Sequence, residues 1–213
     1  MMESPATPPH NCPLCPRLKA FRDANRAKYP DWFNGPVPSF GPLTARILIA
    51  GLAPGLQGAN RTGRPFTGDW AGDLLYATLL KHGLAKGVYD ERADDSLELL
   101  DCRIANAVRC VPPQNKPEPS EIKTCRQFLK SELETLPNVK VILALGKIAH
   151  DSVLTTLGAK ISAHPFKHAV SYDVGRFKLI SSYHCSRYNT NTGRLTTAMF
   201  EDVVGKAKRL AQV

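Results

Sequence analysis

No apolar run in these 213 residues approaches the roughly twenty that a membrane helix needs, which excludes a helical membrane protein. The opening residues, MMESPATPPH, lack a charged start followed by an apolar stretch and do not read as a secretory signal. A cytoplasmic, reducing setting is therefore expected, where six cysteines serve as thiols or metal ligands rather than disulfides. The two common nucleotide fingerprints are missing: no glycine loop ends in GK[ST], and no GxGxxG follows a strand. No internal repeat is apparent, which sets repeat architectures aside. Acidic residues are few beside basic ones, 19 against 28, for a net charge of +9 and a pI near 9.4. That imbalance favours an anionic partner, nucleic acid before membrane surface.

The hydrophobic fraction of 43% and charged fraction of 22% are ordinary for a single globular domain. The chain is organised around residues 46–75. Ile47-Leu48-Ile49-Ala50 reads as a buried strand ended by Gly51. A loop with Gly at 51, 55, 58, 63 and 68 and Pro at 54 and 65 follows, and a helical pattern resumes from about Gly72. Glycines between a strand and a helix let backbone approach a ligand closely.

Residues 1–11 are Pro-rich and expected to be disordered, leaving one domain over 12–213. A short helix is expected from Pro16 to about Lys28, then an irregular surface segment over 30–44. Residues 86–100 carry mixed charge and read as a solvated excursion. Asp101–Val108, Val139–Leu145 and Phe177–Tyr183 read as further strands, with helices from Ser120, over Ile148–Leu157 and over Leu195–Ala211. Strands alternating with helices argue a parallel sheet covered on both faces. In such sheets ligands sit beyond the carboxyl ends of the strands, which brings together the loops 51–69, 106–113 and 184–194.

Cys12 and Cys15 form a CxxC pair, and Cys110 and Cys125 stand fourteen residues apart with prolines between. Four thiolates of this kind suit a zinc ion or an iron–sulfur cluster; the second pair is too widely spaced for a zinc ribbon. Cys102, within a strand, reads as core, and Cys185, beside His184, does not read as a nucleophile.

GLAPGLQGANRTGRPFTGD at 51–69, NAVRCVPPQNKP at 106–117 and HCSRYNTNTGRLT at 184–196, in that order with the cysteines between them, resemble the uracil-DNA glycosylase superfamily, and within it the family-5 group of bacteria and archaea. The resemblance implies a three-layer α/β/α sandwich around a four-stranded parallel sheet. It implies a [4Fe–4S] cluster on Cys12, Cys15, Cys110 and Cys125, and a monomer acting near the nucleoid. The expected activity is excision of uracil, and of other deaminated bases such as hypoxanthine, from double-stranded and also single-stranded DNA. By motif, Asp69, Asn106 and His184 are the expected catalytic residues. Gly51, Leu52, Ala53, Gly55, Phe66 and Asn106 are the expected base-binding residues, and Arg187, Tyr188 and Asn189 the expected DNA contacts. Asp69 also reads as a helix cap.

The chain departs from other branches of that superfamily where they carry an acid or an amide, at Leu52 and Ala53, and where the strictly uracil-specific branch has a bulky aromatic, at Gly55. A proline common after the histidine is Cys185 here. Two other readings use the same features: a non-enzymatic iron–sulfur nucleic-acid binder or sensor, and a zinc-stabilised α/β enzyme whose glycine loop holds a phosphate.

Overall fold

Alternate side chains of one strand enter two different cores. Ile47 and Ile49 of β1 (Ile47–Gly51) pack with Leu75 and Leu79 on one face of the sheet, whereas Leu48 and Ala50 pack with Leu129 and Val153 on the other. A strand buried on both faces must be apolar throughout, as this one is. The structure, a computed structural model, describes residues 4–212.

The chain begins with α1 (Pro16–Lys28), followed by β1, a four-residue helix α2 (Ala59–Thr62) within the glycine loop, and α3 (Trp70–Lys81). A two-stranded ribbon, β2 (Ala85–Lys86) with β3 (Glu98–Leu99), precedes β4 (Cys102–Asn106). Then come α4 (Pro119–Thr135), β5 (Val141–Leu145), α5 (Lys147–Thr156), β6 (Ser171–Val174), β7 (Phe177–Ser182), α6 (Arg187–Asn191) and α7 (Thr197–Ala211). The main sheet has the order β4-β1-β5-β7-β6. Helices α3 and α7 pack on one face, α4 and α5 on the other.

The four expected strands are present and mutually parallel, but the sheet has five. β6 pairs antiparallel with β7 through a two-residue turn at Gly175 and Arg176, where Gly175 takes φ 58°. A glycine in that position suits a tight hairpin. The half-exposed, mixed sequence of β6 gives no clear alternation, which hid it from the pattern.

The expectation of a disordered N-terminus over 1–11 needs correction for its described part, residues 4–11; residues 1–3 lie outside the described residues. Pro5 is buried, and the Ala6 amide donates to Ser131 Oγ of α4 at 2.7 Å. Proline richness therefore marks a segment laid along α4 rather than a free tail. The 30–44 segment is irregular as expected, yet it is packed inward: Asn34 through Val37 are buried, and the Phe33 and Asn34 amides donate to the Arg61 and Asn60 carbonyls. The 86–100 excursion is less solvated than its charge implied, because Asp95 turns inward to Arg64 and Leu97 and Leu99 enter the core. The polar stretch after His184 coils into α6, capped by Ser186, rather than staying a loop.

Candidate active site

The carboxyl ends of β1, β4 and β7 open on one cavity of about 380 Å³. All three expected loops reach it. Leu52, Ala53, Pro54, Gly55, Phe66 and Asp69 come from the first, Asn106 from the second, and His184, Ser186 and Arg187 from the third. Trp70 and Asn115 also line it.

Asn106 ends β4, opposite Gly51 in the parallel register. Its side chain is almost fully buried, and Oδ1 has no hydrogen-bond partner among the described residues. A buried amide oxygen left unpaired is unfavourable by about 1–3 kcal/mol, so it marks a place built to receive a donor. Gly51 lies directly beneath: a side chain there would collide with Asn106 Oδ1 and press on the Phe66 ring at 2.9 Å. Gly51 thus serves the site by close approach rather than by lining the cavity.

Phe66 is buried with φ 51°, an uncommon left-handed backbone for an aromatic residue. Surrounding structure must hold it there, and it does. Arg64, two residues earlier, makes a bidentate ion pair with Asp95 at 2.7 Å, both side chains nearly fully buried. Its guanidinium sits over the rings of Phe40, Tyr76 and Tyr89 at 5.1, 5.5 and 5.8 Å. The Tyr89 hydroxyl accepts from the Gly68 amide at 3.2 Å, and the Tyr76 hydroxyl donates to the Pro65 carbonyl at 2.5 Å. None of Arg64, Tyr76, Tyr89 or Asp95 was singled out from sequence; no spacing rule joins residues thirty positions apart.

The Phe66 and His184 rings are 6.0 Å apart at 28°, leaving no slot for a third ring between them. A planar ligand would lie against Phe66 with His184 toward its edge. Burial pulls the His184 imidazole down to about 4, so at neutral pH it is uncharged and offers one N–H donor.

Asp69 combines the two roles read for it. As N-cap of α3 it accepts from the Gly72 amide through Oδ1 at 3.2 Å, and it also lines the cavity. Its Oδ2 lies against the glycine loop: a Cβ at Gly58 would strike it, and one at Gly55 would come within 3.0 Å. Burial raises the carboxyl above its ordinary value, opposed by the Gly72 and Ala71 amides.

The third loop divides. Tyr188 is 72% exposed, and Arg187 stacks its guanidinium over Trp70 at 5.6 Å. Both face outward at the cavity mouth. Asn189, expected beside them as a DNA contact, is half-buried, and its amide donates to the His184 carbonyl. Trp70, half-exposed, donates from Nε1 to Thr190 Oγ1 at 3.0 Å, tying α3 to α6. An exposed tryptophan directly after Asp69 was a signal the sequence carried.

Cys12, Cys15, Cys110 and Cys125 line a second, small cavity between α1, α4 and the 109–111 turn. All are free thiols, three of them buried. Donors are in place for thiolate sulfurs: the Arg22 guanidinium reaches Cys110 Sγ at 3.2 Å, and the Arg109 amide reaches Cys125 Sγ at 3.3 Å. The donor set therefore fits an iron–sulfur cluster. Cys102 and Cys185 are core residues; burial pushes both thiols up to about 12, unsuited to nucleophilic use.

A family model for the uracil DNA glycosylase superfamily matches residues 38–208. Among similar proteins, the type-5 uracil-DNA glycosylase of Thermus thermophilus is 49% identical over 208 residues, covering 94% of each chain. The type-5 uracil-DNA glycosylase of Pyrobaculum aerophilum is 39% identical over 92% of this chain and 88% of its own. The type-4 uracil-DNA glycosylase of Thermotoga maritima is 32% identical over 76% and 77%.

Proposed function

The chain belongs to the uracil DNA glycosylase superfamily, in its type-5 group, and on that premise we propose that it hydrolyses the N-glycosidic bond of uracil in DNA, leaving an abasic site. The observation that carries the reading is the buried, unpartnered Oδ1 of Asn106 in a cavity beside Phe66 and His184.

The reacting bond lies inside the base stack, so the nucleotide must be extruded into a pocket. The base then rests on Phe66. The Asn106 amide, with both a donor and an acceptor, reads its edge. As the bond to the sugar lengthens, the electron pair stays with the base and negative charge builds on its carbonyl oxygen. His184, held neutral by burial, donates to that oxygen without having to surrender its own proton. Preorganised donors of this kind act where charge develops in the transition state. Water adds to the sugar carbon; Asp69, with Oδ2 at the cavity wall, orients it, and the proton released passes to the departing base or solvent.

With Gly55 on the wall in place of a side chain, deaminated purines such as hypoxanthine enter the same pocket. Double-stranded DNA is the main substrate and single-stranded DNA a further one. Cys12, Cys15, Cys110 and Cys125 hold a [4Fe–4S] cluster, whose chemistry here is structural: it fastens the segment before α1 to the body of the protein.

Duplexes carrying one uracil, hypoxanthine or xanthine, incubated with the protein and then treated with hot alkali, test the reading. Strand breaks at the lesion require base excision. A protein that binds these duplexes but yields no alkali-labile site is a binder or sensor, not a glycosylase.

A further inference from the structure

Arg22 is a buried arginine with no ion pair to a carboxylate among the described residues. It belongs to α1, is 1% exposed, and makes two hydrogen bonds: to Cys110 Sγ at 3.2 Å and to the Cys12 carbonyl at 2.9 Å. Its Nε has no partner, and no carboxylate pairs with it, among the described residues. The other buried charges nearby are accounted for. Glu121 meets Arg17 at 2.8 Å, and Glu132 is shared by Arg103 at 2.7 Å and Arg109 at 3.4 Å. Two guanidiniums on one carboxylate add to the surplus, so this side of the molecule buries more positive than negative charge.

An uncompensated buried charge is strongly unfavourable. Neutral thiols would leave Arg22 in that state. Four thiolates around an iron–sulfur core form an anionic centre, and Arg22 lies against one of its ligands. We propose that Arg22 is the counter-charge and positioning residue of this centre: it neutralises part of the anion, fixes Cys110 through an N–H···S bond, and ties the Cys12 backbone to the same group. One side chain of α1 thereby grips a cysteine from each half of the ligand set. The proposal rests on the cluster reading above.

A positive donor on a thiolate sulfur favours the more reduced, more negative form of the centre, and outer-shell partners of this kind govern how tightly a metal centre is held. The test uses the full-length, iron-loaded protein and two measurements, the release of iron to a ferrous chelator and the reduction potential of the centre. Arg22→Met should release iron about tenfold faster or more and shift the potential downward. Arg22→Lys, which keeps the charge but loses the fork, should fold, hold its iron and fall between the two. Should Arg22→Met fail to fold, Arg22→Lys against wild type decides alone. Wild-type release rate and potential in Arg22→Lys and Arg22→Met overturn the role of Arg22 while leaving the cluster intact. A colourless, iron-free wild type overturns the cluster reading and the proposal with it.

Discussion

The Asn189 amide donates to the backbone carbonyl of His184 at 2.8 Å. The turn that presents Arg187 and Tyr188 at the cavity mouth is thereby fastened to the residue that meets the base. Asn189→Ala should therefore lower the single-turnover rate more than the affinity for undamaged duplex. Equal losses in both would place Asn189 in direct DNA contact instead.

His184→Ala and Asn106→Ala should each lose about a hundredfold to a thousandfold in single-turnover rate on a uracil duplex, the usual cost of one preorganised donor. Circular dichroism and the absorbance of the cluster should be unchanged. Near wild-type rates in both variants would move the chemistry to other residues.

The pH profile separates Asp69 from His184. Burial raises the Asp69 carboxyl above its ordinary value, so it takes up its proton at a higher pH than a free aspartate would, while burial holds the His184 imidazole down at about 4. Excision should decline on the acid side at a higher pH than an exposed aspartate would give. Asp69→Asn should be slower at neutral pH and lack that decline. An unaltered acid limb in Asp69→Asn would leave Asp69 as a helix cap alone.

Asp95 should matter although it lies outside the cavity. Burial by itself would raise its carboxyl, but hydrogen bonds from Arg64 and from the Asp90 and Leu97 amides outweigh this and hold it at about 2. A folded value below the unfolded one stabilises the protein above about pH 4, and that contribution is lost as pH falls toward 2; it amounts to about 2–3 kcal/mol. Asp95→Ala, which strands the Arg64 guanidinium, should cost about 3–5 kcal/mol in urea unfolding at pH 7. It should also slow excision, because Phe66 loses its support. The stability gap between wild type and Asp95→Ala should narrow from pH 5 to pH 2.

Duplex affinity should fall steeply with salt, by about 0.9 log units per log unit of salt for each phosphate neutralised. Arg187→Ala should reduce that slope by about one such increment, equally for damaged and undamaged duplex. A slope unchanged in the variant would assign Arg187 to the Trp70 contact alone.

Much of this was legible because the parallel strands are short, apolar and separated by helices. Ile47–Ala50 and Val141–Leu145 declare themselves by composition. That three loops meet at one end of the sheet followed from the strand and helix order, and the family resemblance picked out Asn106, Phe66 and His184 within them, which line one cavity. The supports were not legible. The Arg64–Asp95 pair and the Asn189–His184 bond depend on side-chain direction, which neither periodicity nor propensity records. Residues 4–11 and β6 were missed for a related reason: their order comes from what they lie against rather than from their own sequence.

Both margins of the main sheet are closed by short pieces of chain. On the β4 side, Phe40 exchanges backbone hydrogen bonds with Ile104 at 2.9 and 2.7 Å, and on the β7 side β6 adds four residues, with Asp173 exposed. Bare margins invite a second molecule to continue the sheet, and brief, charged ones discourage it. Finished in this way, each flank presents only a short piece of chain, with little length along which another molecule could extend the sheet.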